Sequence, residues 1–151
     1  MEPRLLLASL AMATGFSAYP FAVSQAAIVP KDGAAMTPTG NVFSINREGG
    51  TDKFAYRRFQ EFELEKGYIA NFNFGNADAF ASLVKSKITV DGVVNAVKGG
   101  AIDGHLIFLS PNGIAVGSSG IINAGQFTGI VPAQADFYKL YNSSSPDTEI
   151  T

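Results

Sequence analysis

Short apolar runs that each end at a glycine- or asparagine-bearing turn are the feature that most restricts this chain. They are densest between Ala101 and Val131, A-I-D-G-H-L-I-F-L-S-P-N-G-I-A-V-G-S-S-G-I-I-N-A-G-Q-F-T-G-I-V. Leu106 to Leu109 ends at Ser110-Pro111-Asn112-Gly113, Ile114 and Val116 end at Gly117 to Gly120, and Ile121-Ile122 ends at Asn123-Ala124-Gly125. None is long enough for a helix, and runs bounded in this way read as strands joined by tight turns. Many strands with no helical pattern between them point to stacked coils rather than a helix-covered sheet. The pattern apolar, Asp or Asn, Gly, apolar recurs at Ile88 to Val94, Ala101 to Leu106 and, loosely, Ile121 to Phe127. Irregular spacing of that echo fits a repeated coil with turns of variable length.

In such a coil, strands pair with the coils above and below at about 4.8 Å, and inward side chains stack in apolar columns. Corners need residues that tolerate a left-handed backbone, hence Gly and Asn. Ser110-Pro111-Asn112-Gly113 fits such a corner, with Pro111 presetting its own backbone.

The 151 residues make one domain, 46% hydrophobic and 16% charged, with a formal net charge of -2. That balance gives no basic field for nucleic acid. With no Cys there are no disulfides, thiolate zinc sites or thiol nucleophiles, and the single His105 rules out a multi-histidine metal site within the chain. The reading assigns no cofactor, no metal and no catalytic residue.

Residues 1–26 have the pattern of a secretory signal peptide: Arg4 in a short head, an apolar stretch from Leu5 to Ala22, and small residues before a cleavage between Ala26 and Ala27. Gly15 and Pro20 interrupt the stretch, which argues against a membrane anchor. After cleavage no stable membrane insertion is expected. Ala27 to Gly40 reads as extended, and Asn41 to Asn46 alternates as a half-buried strand. Phe54 to Phe74 is aromatic-rich, with mixed spacings that allow a helical turn at Arg57 to Glu61. Arg57 and Arg58 read as an exposed mixed-charge face with Glu61, Glu63 and Glu65. Ala79 to Lys87 reads as a turn or helical cap followed by a strand. The tail, residues 133–151, reads as a further coil or a linker.

Ser110-Pro111-Asn112-Gly113-Ile114, within its apolar frame, resembles the N-P-N-G-I motif of the two-partner secretion domain. That domain opens the filamentous haemagglutinins, haemolysins and related adhesins. Phe59, Phe62, Gly67, Ala70 and Phe72 are similar to the family's F-x-x-F and G-x-x-A-x-F stretch, Leu83 to Gly92 to its apolar run, and Gly125-Gln126-Phe127 to its closing G-x-F. The Met36 to Phe43 opening is similar to the leukotoxin-like adhesins of the group. Ser110 stands where the family usually has Asn, and no N-P-N-L motif is found. Near that motif's place the chain has Asn76-Ala77-Asp78-Ala79-Phe80.

The resemblance implies an all-β, right-handed, single-stranded parallel β-helix with an amino-terminal cap over residues 27–132. It implies recognition of the Ser110–Ile114 motif by the POTRA domains of an outer-membrane transporter. Export through the periplasm to the surface of a Gram-negative-type bacterium, or beyond it, would follow, and a passenger would bind a host receptor or glycan. Two other readings stand beside it. One is a polysaccharide-active enzyme on a β-helix using Asp103 and His105. The other is a stand-alone carbohydrate- or receptor-binding module using Tyr56, Tyr68, Tyr138 and Tyr141.

Overall fold

The computed structural model describes residues 27–150. The chain begins with β1 (Ala27–Pro30), β2 (Val42–Ile45), β3 (Gly49–Gly50), β4 (Phe54–Leu64) and β5 (Ile69–Asn73). It continues with β6 (Ala79–Val84), β7 (Ile88–Val90), β8 (Val93–Lys98), β9 (Ala101–Ile102) and β10 (His105–Leu109). β11 (Ile114–Val116), β12 (Ile121–Asn123), β13 (Gln126–Ile130), α1 (Gln134–Tyr141) and α2 (Pro146–Ile150) complete it.

The strands form three parallel stacks. The first half of β4 lies beside β6, then β10, then β13. The second half of β4 lies beside β7, then β11. β2, β5, β8 and β12 make the third stack. The chain visits the stacks in the same rotation each time, so it is a β-solenoid, a parallel β-helix of three turns. Strands this short close into a stable body only by stacking, because one coil alone cannot bury its apolar face.

The first turn is capped. β1 pairs antiparallel with the second half of β4, from Ala27↔Glu63 to Pro30↔Phe59, and β3 pairs antiparallel with its first half. These two short strands cover an edge that would otherwise be an open pairing template.

Side chains alternate between the tube and its outside. Phe43, Phe59, Phe62, Phe72, Phe74, Phe80 and Phe108 are fully buried within the tube. Their rings meet within and between turns: Phe62 stacks on Phe72 of the same turn at 5.8 Å between centroids, and Phe72 meets Phe80 of the next edge-on at 5.3 Å. A second apolar cluster lies outside the first stack, where Phe137 and Tyr141 of α1 cover Tyr56, Ala81, Leu83, Ile107 and Leu109.

Three local expectations are corrected. Arg57 to Glu61 forms no helical turn, since β4 runs unbroken through it and passes from the first stack to the second. That passage produces the three-residue spacing of Phe59 and Phe62. Ala79 to Val84 is a strand from its first residue, not a turn or helical cap. The tail is neither a further coil nor a linker but two short helices against the outer wall. The signal-peptide assignment, with Ala26 on one side of its cleavage, lies outside the described residues, and Ala27 begins β1.

Candidate functional site: the outer corner at Ser110–Ile114

Ser110 to Gly113 turns the chain from the first stack into the second, directly above Lys85 and Ser86 of the previous turn. Ser110 is fully buried, and its hydroxyl donates to the Ser86 carbonyl at 2.7 Å and accepts from the Asn112 amide at 3.2 Å. Its backbone N–H donates upward to the Ile130 carbonyl at 3.1 Å. Asn112 is exposed, and its Nδ2 donates to the Lys85 carbonyl at 2.7 Å, while its Oδ1 accepts from Gln134 Nε2 at 3.3 Å. Gly113 takes the left-handed backbone, with φ of 102°. Its carbonyl then accepts from the Ile88 amide at 3.0 Å, and Ile114 packs partly buried against the inner core.

The corner is therefore a peptide ladder between turns, with no ionisable side chain of its own. Ser110 makes its own bond across the turn, by donating to the Ser86 carbonyl. Ser110 faces inward and Ile114 is half-buried, so the outward part of the motif is Asn112 with the edge of Pro111. Exposed Lys85 and Lys87 flank it one turn below.

The other family-frame residues are structural. Phe59, Phe62, Ala70 and Phe72 are fully buried in the tube, and Gly67 sits in an exposed turn at φ of 91°. The four buried side chains fill the inside of the solenoid, and Gly67 shapes a turn.

Arg58 is not part of an exposed mixed-charge face, and only 12% of its side chain is accessible. It pairs with Glu48 through Nε, at 3.2 Å to Oε1 and 3.0 Å to Oε2, and through Nη2 to Oε2. Its Nη1 donates to the carbonyls of Tyr141 and Ser143, both at 3.0 Å, so it pins the end of α1 to β4. Burial pushes the Glu48 carboxyl up, but the hydrogen bonds and charge of Arg58 outweigh that and hold it below its usual value. Tyr141 donates its hydroxyl to the Phe59 carbonyl at 3.0 Å, and burial pushes its phenol up to about 12. Sequence reading missed this latch because Glu48 and Arg58 meet only when β3 folds back on β4.

Asp103 and His105 are hydrogen-bonded to other groups and not to each other. Asp103 Oδ1 accepts from the Gly104 amide at 2.8 Å, and His105 Nε2 meets Thr128 Oγ1 at 2.7 Å on the next turn. Tyr56 is buried beneath α1 and Tyr141 on the inner face of α1, so they are not the exposed contacts a binding module would use, and Tyr68 and Tyr138 are half-buried. Among the described residues, no three His, Cys, Asp or Glu side chains cluster as metal ligands. Nor is any described helix long and apolar enough to cross a membrane. No protein-family model matches the chain, and neither does any curated protein or solved structure.

Proposed function

We propose that this chain is the amino-terminal secretion domain of an exported filamentous adhesin or haemagglutinin, received by the POTRA domains of an outer-membrane transporter. Its passenger would meet a host receptor or glycan. The supporting observation is the Ser110–Ile114 corner. It lies on a capped parallel β-helix, is built as a ladder onto the previous turn, and turns only Pro111 and Asn112 outward. A partner that receives the chain in extended form reads backbone and short polar side chains by adding a strand. The charge-poor, Cys-free sequence suits such threading, and stacking turn on turn suits folding after passage.

The test is co-production of the full chain with an outer-membrane transporter of the two-partner secretion type, scoring chain in the medium. The reading expects export that depends on the transporter and leaves Ala27 at the amino terminus. Asn112→Val removes the bond to Lys85 and should lower export at unchanged cellular level. Thermal melts of the purified variant separate a folding defect from a recognition defect. Export without the transporter, or none with it, would end the proposal.

A further inference from the structure

The two ends of the solenoid are unlike. The first turn is covered by β1 and β3 on β4 and by β2 on β5, whereas β11, β12 and β13 each have one strand neighbour and an open edge. Val116, Ile121, Phe127, Ile130 and Val131 lie on this last turn and are 38% to 60% exposed. From Leu106 to Ala135 there is no Asp, Glu, Lys or Arg. Natural sheet edges are blunted by charges, prolines or bulges, and solenoid ends by polar caps. None of β11, β12 and β13 carries a charge or a proline.

Among the described residues, the segment that follows β13 does not cover this end. It turns at Pro132 and runs down the outer wall, with α1 on Leu83, Ile107 and Leu109. α2 lies beside β4, on the outer wall.

We infer that the open end pairs with the open end of a second copy of this chain, joining two solenoids about a twofold axis. Three free edges face the same way, and one added strand would satisfy only one of them. A second solenoid end satisfies all three. A twofold axis lying across the solenoid and through β12 sets β12 against its partner's β12, antiparallel. It also sets β13, which begins the next turn above β10, against the partner's β11, and the reverse. β12 meets a strand of its own length, and the three residues of β11 fit within the five of β13. The charge-free turn meets itself, and no charge is buried without a partner. Because the other end is capped, the contact closes at two copies instead of growing a filament. This pairing follows from the fold alone and holds whether or not a transporter exports the chain.

Sedimentation equilibrium of the full chain, with amide hydrogen exchange, tests it. The chain should approach twice 15.9 kDa as concentration rises, with exchange slowing in β11, β12 and β13. Ile121→Lys with Phe127→Lys alters two exposed side chains, so far-UV circular dichroism should not change. Association and the added protection should both be lost. A chain that stays monomeric at every concentration would overturn the proposal, as would association that survives the double variant or assemblies larger than two. A monomer with slow exchange at these edges would show the chain's own residues 1–26 seated there, which would also overturn it.

Discussion

Ser82 is fully buried at an inward position of β6, between Phe80 and Val84, and its hydroxyl has no hydrogen-bond partner. A buried, unpaired hydroxyl costs about 1–3 kcal/mol. Ser82→Ala should therefore stabilise the fold by about 1 kcal/mol, read as a higher urea midpoint at unchanged slope; a lower midpoint would mean that the hydroxyl has found a partner. Gly104 is the opposite case. Its φ is 92°, and a Cβ there would lie 2.5 Å from the Phe74 ring. Gly104→Ala should cost about 2–4 kcal/mol, since backbone strain adds to a clash with a core ring. A thermal melt within a degree of the parent would refute this. Sequence reading assigns Gly and Asn alike to corners for their backbone freedom. At the Ser110 corner the two divide the work, with Gly113 taking the left-handed backbone and Asn112 acting through its amide to Lys85. No single-sequence pattern shows that division, because Lys85 comes near only through stacking.

Among the elements, strands that face water on one side are legible and those covered on both sides are not. β5 alternates cleanly, with Ala70 and Phe72 buried, and reads as a strand. β6 carries Phe80 and Val84 inward and Ala81 and Leu83 under α1, so apolar residues on both faces hide its period of two. The helix that covers it has its own signal: Phe137 and Tyr141 four apart, Pro132 just before, Asp136 in the first turn and Lys139 in the last. The Glu48–Arg58–Tyr141 latch that ties this helix down should open at both extremes of pH. Glu48 is held below its ordinary 4.5, so its contribution is present above that pH and fades as pH falls through the lowered value. Tyr141 is raised from 10.0 to about 12, so its contribution is complete below pH 10 and fades as pH rises toward 12. Urea midpoints across pH should fall at both ends. Tyr141→Phe should flatten the alkaline fall and leave the acid one. An alkaline profile indifferent to that substitution would show that Tyr141 carries no linkage.

At the scale of the whole molecule, each turn is held by its neighbours, so the same deletion should cost differently along the axis. The polar ladder shows this: Asn123 donates to Asn95 at 2.9 Å and Asn95 to Asn71 at 3.0 Å, linking residues 28 and 24 apart. The rings do likewise, since Phe108 touches Phe62 and Phe72 and, on the last turn, Phe127. Phe108 is fully buried with turns on both sides, whereas Phe127 is 38% exposed at the open end. Phe108→Ala leaves a cavity bordered by rings of neighbouring turns, which cannot collapse without moving several strands. It should cost about 3–5 kcal/mol, the range for large aromatic deletions in a core. Phe127→Ala removes contacts from one side only, and its site is already open to water. At protein concentrations too low for end-to-end pairing it should cost about 1–2 kcal/mol, because the area returned to water is smaller. Urea unfolding of both variants, followed by far-UV circular dichroism, gives the comparison. Equal costs would mean that the last turn is as tightly held as the middle one, which a solenoid stabilised by contacts between adjacent turns does not allow.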